Sequence, residues 1–433
     1  MALRHLVATI VTFPIAQLAF AADAADPGLM QEIRQIRAID NHNHDDPADA
    51  TRGQSWRIDL PLGTSPYPDV VPLRHDNPDW MRAWRALYGY KHSDMSAAHL
   101  SELLEVKKKE MKRQGSHWPA KILDLAGVDV ALVNAAHLGA GQSSPRFRWV
   151  PFADPLLAPF SGKQSVLAFP GGPSSLADLL HEGGIAAIPG DVDGYLTQVV
   201  DTTLARWVAA GAPAVKFLSA YRRSLDFRLV SHETAAPIYA RGAARETLSA
   251  SEQKELEDYL FVEISTRAGT HNLVVQIHTG NGNGPYFNNN GANPGLLENA
   301  IDSEPMQKTK FVLLHGGWPF YLVAQAMMDK PNTYADFSAA TFFLTTHALA
   351  NLLRSWLGWH PEKVLFGSDA YSDENSPLND YEEKQWLLTD KSRQALAIAL
   401  DAMVSDGEIS RARAIEIARM VLHDNAAKLY GIK

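Results

Sequence analysis

The sequence predicts an α/β protein: one (β/α)8 TIM-type barrel with long helical or loop insertions after strands 1, 3 and 4. Three observations lead there. Short, apolar, β-rich runs recur along the 433 residues, and nearly continuous apolar runs read as buried parallel strands. Each run is followed by a longer segment with helical spacing, so the alternation reads as βαβ units. Polar residues collect where the runs end, on the rim where such barrels build their sites.

The candidate strands are residues 36–41, 128–134, 147–152, 214–218, 273–277, 311–314, 333–337 and 363–366. Eight βα units need about 250 residues. The surplus falls at 45–127 after the first strand, at 155–211 after the third and, smaller, at 221–251 after the fourth. Loops that follow strands line the active face, which makes these insertions candidate lids or substrate walls. Within the first, a helix is expected over 95–114, and its Lys107-Lys108-Lys109 triplet reads as a solvated face. Ahead of the barrel, Arg4, the apolar stretch 6–15 and the small-x-small sequence Ala19-Phe20-Ala21 read as a cleaved secretory signal. The expected organisation is a signal peptide over 1–21 and a single barrel domain over 22–433, secreted or periplasmic.

Composition narrows the chemistry. Lys and Arg number 40 against 49 Asp and Glu, a net charge of −9, which speaks against nucleic acid as a partner. No run after the N-terminal stretch is long and apolar enough for stable membrane insertion. Cysteine is absent, which removes disulfides, thiolate nucleophiles and thiolate-bound metals. Any metal must be held by His and carboxylates. The partner expected is a small-molecule substrate, with homo-oligomerisation left open.

The first strand ends in Asp40-Asn41-His42-Asn43-His44. Residues two apart on an extended segment point the same way, so the two imidazoles can converge on one ion. With 16 His in the chain, an H-x-H arises by chance about 0.6 times, and the motif alone decides little. His278 and His315 end the fifth and sixth runs, and Asp369 ends the eighth. Singly, each has an ordinary explanation as a satisfied core histidine or a helix N-cap. Together on one rim they form the imidazole and carboxylate set that suits a divalent ion such as Zn²⁺.

Other residues carry weaker signals. Lys216 stands inside the apolar fourth run, where an unpaired ammonium is costly to bury. Arg222 and Arg223, just beyond it, offer a bidentate clamp for a substrate carboxylate or sit as surface cations of a loop. Trp318, Trp149 and Phe152 offer pocket walls or core packing. The glycines from Gly280 to Gly284 fit a loop over the site but do not form the G-x-G-x-x-G of dinucleotide sites. Ser368 lacks a G-x-S-x-G elbow, which speaks against a serine hydrolase.

Asp40-x-His42-x-His44, His278, His315 and Asp369 together resemble the metal-dependent amidohydrolase superfamily. Gln276-Ile277-His278-Thr279-Gly280, His315-Gly316-Gly317-Trp318-Pro319 and the closing His423-Asp424-Asn425-Ala426-Ala427-Lys428-Leu429-Tyr430-Gly431 resemble its amidohydrolase-related (type 2) branch. Lys216-Phe217-Leu218-Ser219-Ala220-Tyr221-Arg222-Arg223 is similar to amidohydrolase-like domains that are fused to glutamine-synthetase-like domains.

The resemblance implies roles. His42, His44, His278 and Asp369 would bind one divalent metal, Zn²⁺ or another first-row ion such as Mn²⁺, which activates a water. Asp369 would take the proton and pass it to the leaving group, and His315 would polarise the scissile carbonyl. Asp40 would support a ligand by accepting a ring N–H, or fix the strand end. Lys216 would bind substrate as an ammonium, bridge two metals as a carbamate, or serve the rim structurally. The expected function is a metal-dependent hydrolase of an amide, ester or lactone bond in a small molecule. The alternatives are a decarboxylase or uronate-isomerase-like enzyme on the same site, and a non-catalytic periplasmic binding protein.

Overall fold

The computed structural model describes residues 25–44, 69–138, 141–160, 175–282, 284–372 and 376–433. All the expected runs form strands, with only their ends shifted. They are β1 (Ala38–His44), β2 (Val128–Asn134), β3 (Phe147–Val150), β4 (Ala214–Phe217), β5 (Val274–His278), β6 (Phe311–Leu314), β7 (Thr333–Asp336) and β8 (Val364–Leu365). They pair in parallel as β1-β2-β3 and β4-β5-β6-β7-β8. Backbone bonds join the two arcs on both sides. Lys216 N donates to the Pro151 carbonyl and Ala153 N to the Lys216 carbonyl, each at 2.8 Å. Opposite, Asn41 N donates to Phe366 O at 2.9 Å and Asp369 N to His42 O at 2.8 Å. Hydrogen bonding therefore runs right round the ring.

Strand alternation decides which residues meet inside it. Ile39, Leu132, Val150, Ala214, Val274, Val312 and Leu365 pack into one inner apolar layer, floored by Ala426 and Leu429 of the C-terminal helix Asn425–Tyr430. Their sequence neighbours Val133, Val215, Val275 and Leu313 join the outer core beneath the helices. Two residues further along β1, β2, β4 and β5, the inward positions Asn41, Asn134, Lys216 and Gln276 are polar. Gln276 donates to Asn41 O at 3.0 Å and to Tyr430 Oη at 2.9 Å, and Asn134 donates to Gln276 Oε1 at 3.1 Å. This hydrogen-bonded layer separates the apolar floor from the rim above.

The insertion after β1 adds helices Trp80–Tyr88, Ala97–Gln114 and Trp118–Ala126. Trp80, Trp84, Leu103, Trp118 and Ile122 build a second core against Tyr381 and Leu387 of the long helix Tyr381–Ser405. Here one expectation fails. Lys107 is buried, not solvated: its ammonium lies 2.9 Å from both Glu382 Oε2 and Glu383 Oε2 and donates to Pro377 O. A buried ammonium needs such partners, and they come from a distant helix that local sequence cannot reveal. Lys108, by contrast, is an exposed partner of Glu105.

The later insertions contribute helices Leu176–Glu182 and His232–Ala243, and a helical run over 192–209. The expected signal peptide lies outside the described residues, among which no helix is long and apolar enough to cross a membrane.

Candidate metal centre

The strand-end residues named above converge at the C-terminal mouth of the ring. Asp369 Oδ1 lies 3.0 Å from His42 Nε2 and 3.1 Å from His44 Nε2. Its Oδ2 is 3.8 Å from His315 Nδ1. His315 Nε2 stands 3.0 Å from His278 Nδ1, so the fifth strand joins the cluster through the sixth. His42, His315 and Asp369 offer ligand atoms all within 4.8 Å of one another. His315, expected to polarise the substrate carbonyl or to serve a second ion beside a carbamylated Lys216, stands within this cluster.

The backbone is bent to make this possible. His315 has φ 65° and Asp369 φ 58°, a left-handed conformation that costs a non-glycine residue about 1–3 kcal/mol and collects at functional sites. Both bends are pinned. His315 N donates to Asp336 Oδ1 at 2.7 Å, and Asp369 N is held on His42 as described. After His278 the chain turns at Gly280, φ +72°, where a Cβ would fall 2.3 Å from the Trp318 carbonyl. That close approach and Asn281 N bonded to Trp318 O draw the loop back over the site. Phe287 from the same loop packs edge-on to Tyr221 and His278.

Electrostatics prepare the cluster for a cation. Burial, then the Lys216 charge, push His42 down to about 3. Burial drives His278 and His315 well below the usual imidazole range, so these rings are neutral at pH 7. Burial works against an ionised Asp369, but the surrounding imidazoles and the hydrogen bonds from His42 and His44 outweigh it and hold the carboxyl well below its ordinary value. Neutral imidazoles beside a carboxylate are the donor set of a divalent ion. The buried His42 Nδ1, His278 Nε2 and Lys216 Nζ have no hydrogen-bond partner among the described residues. Orphaned buried nitrogens are rare, and a bound ion would satisfy the one on His278. The residues fit a metal.

Lys216 is wholly buried, and desolvation brings its ammonium down to about 8 against the pull of Asp369, Asp336 and Asp154. Asp40 does not touch a ring nitrogen. It accepts from Ser368 N at 2.8 Å, Ser368 Oγ at 2.6 Å, Asn43 Nδ2 at 2.9 Å and Gln385 Nε2 at 3.0 Å, clamping the ends of β1 and β8 together. Arg222 and Arg223 are not loop-surface cations. Arg223 bonds Glu257 and Asp258 and lies over the Phe227 ring, and Arg222 reaches Glu257 at 3.4 Å, so a substrate clamp would compete with these carboxylates. Trp318 stacks on Phe343 at 5.0 Å. Trp149 and Phe152 pack in the core.

The amidohydrolase pattern (Amidohydro_2) matches residues 181–432. The chain belongs to the amidohydrolase family. The match spans β4 to β8 and so includes Lys216, His278, His315 and Asp369, while His42 and His44 enter the site through the ring geometry. Protein fluG of Emericella nidulans is 25% identical over 276 residues, 59% of this chain but 31% of that protein, so the match spans about a third of its length. Two solved structures share the fold. A candidate metal-dependent hydrolase from Lactobacillus casei has a TM-score of 0.63 and 15% identity, covering 94% of this chain and 98% of its own. The uronate isomerase of Thermotoga maritima has a TM-score of 0.65 and 15% identity, covering 93% and 96%. This amidohydrolase therefore shares its barrel fold with both.

Asp336, Ser338, Asp154 and Gln385 were not expected at the site. Asp336 ends the seventh strand, and a strand-end carboxylate is the same signal that marked Asp369; Gln385, on a helix far along the chain, carries no such signal.

Proposed function

We propose that this amidohydrolase hydrolyses an amide, ester or lactone bond in a small molecule, with His42, His44, His278 and Asp369 holding one divalent ion, Zn²⁺ by choice of donors. The observation that carries the reading is the Asp369 carboxylate set 3.0 Å from His42 Nε2 and 3.1 Å from His44 Nε2 among buried imidazoles. A divalent ion there supplies an activated water at neutral pH and polarises the scissile carbonyl. The chain's own part follows from its geometry. Asp369 is ionised and so can accept the proton of the attacking water and return it to the leaving group. Phe287, Tyr221 and the loop after Gly280 cover His278 and restrict water. Lys216 supplies a buried positive charge with no hydrogen-bond partner among the described residues, suited to a carboxylate or developing oxyanion on the substrate.

That same lysine favours a second reading, isomerisation of a uronate or decarboxylation, because both need a carboxylate-bearing substrate. If Lys216 carries a carbamate, the centre holds two ions. The test is a product screen with metal-loaded protein against small amides, esters, lactones, uronates and ring carboxylates. Acid release without CO₂ supports hydrolysis; CO₂ release or an isomer without acid release overturns it in favour of the second reading. No turnover with any class supports a binding protein instead. Export to the periplasm or medium is proposed from the pattern over 1–21 and is checked by N-terminal sequencing of the exported protein.

A further inference from the structure

Asp336 at the end of β7 gathers four donors. Its Oδ1 accepts from His315 N at 2.7 Å, Ser338 N at 3.1 Å and Ser338 Oγ at 2.8 Å, and its Oδ2 accepts from Asn41 Nδ2 at 2.6 Å. A carboxylate so surrounded only accepts, so the single hydroxyl proton of Ser338 is committed to it. Ser338 Oγ also lies 2.8 Å from His315 Nδ1. With its proton spent, the hydroxyl can only accept there, and His315 Nδ1 must carry a proton. A neutral imidazole has one such proton. His315 Nε2 is therefore a bare lone pair, and it faces His278 Nδ1 at 3.0 Å.

We propose that Asp336 and Ser338 are positioning residues that lock His315 in its Nδ1–H tautomer, so that its Nε2 acts as an acceptor toward His278 and the metal centre and not as a proton donor to substrate. In the metal-free protein the proton between the two rings then resides on His278 Nδ1. That leaves His278 Nε2, buried and with no hydrogen-bond partner among the described residues, free to act as a ligand. Partners behind a ligating histidine usually fix its tautomer and are worth about 10–100-fold in metal affinity. Ser338 belongs to the loop after β7, and its side chain bonds Asp336 and His315. The inference concerns the donor set and holds whichever reaction the site performs.

The experiment is long-range ¹⁵N–¹H correlation of the imidazoles in the metal-free full chain, with His315 assigned by loss of its signals in His315→Gln. The expected result is a proton on Nδ1 and an unprotonated Nε2 for His315. A His315 that carries its proton on Nε2 overturns the proposal, whatever any variant does. Ser338→Ala then tests the consequence: Zn²⁺ affinity, read by competition with a chelator, should weaken about 10–100-fold while far-UV circular dichroism stays unchanged. Affinity within twofold of wild type in a folded Ser338→Ala also overturns it. Loss of all substrate turnover in the wild type leaves both readouts intact and counts only against the hydrolase reading.

Discussion

The amide of Asp369 donates to the carbonyl of His42 at 2.8 Å, and the carboxylate of Asp369 lies 3.0 Å from the Nε2 of that same histidine. One pair of residues thus joins the last strand to the first and brings ligand atoms together. Ring continuity and site assembly are the same event in this barrel.

If Asp369 moves the proton, Asp369→Asn should lower kcat by about 10²–10⁴ while a substrate analogue binds nearly as before. Steady-state kinetics and calorimetric titration check this. Near-wild-type turnover would remove Asp369 from the proton path.

Lys216 should trade stability for function. Its ammonium falls from 10.5 to about 8 on folding. At 1.36 kcal/mol per unit that burial costs on the order of 3 kcal/mol at neutral pH. Between pH 8 and 10.5 the unfolded chain binds the extra proton, so stability of the metal-free protein should rise with pH across that window. Lys216→Met should therefore raise the melting temperature at pH 7, flatten the alkaline rise and abolish turnover. Denaturation at several pH values decides; a less stable variant contradicts the account.

Lys107 holds two buried carboxylates. Removing one partner of a buried ionic group costs about 3–5 kcal/mol, so Lys107→Ala should lose that much in urea denaturation. Burial already raises Glu383, with Lys107 pulling the other way; in Lys107→Ala that opposing pull is gone. Lys108→Ala, at an exposed pair, should change stability by less than about 1 kcal/mol.

Gly280→Ala should disturb the site without touching a ligand. The new Cβ meets the Trp318 carbonyl at 2.3 Å on a backbone with φ +72°, so the loop must shift. KM should rise, and tryptophan fluorescence should report the movement of Trp318; unchanged kinetics would show that the loop does not shape the pocket.

The barrel was legible because its strands are near-continuous apolar runs such as Val274 to Ile277, and strand ends expose their chemistry in sequence. His42, His44, His278, His315 and Asp369 share that one signal, position at the end of a run. Lys107 was misread because a triplet of lysines looks solvated until Glu382 and Glu383 arrive from another helix. Gln385 was invisible for the same reason. Ser338 carries its meaning only through the one-proton arithmetic of its neighbours. Local pattern gives the rim; contacts made across the fold give the support behind it.

Elemental analysis of protein purified without chelator is the most direct test. The account predicts about one first-row metal ion per chain, or two if Lys216 is a carbamate, and loss of that metal together with activity in His42→Ala. Active wild-type protein that holds no metal, or a His42→Ala variant that keeps both metal and turnover, would contradict it.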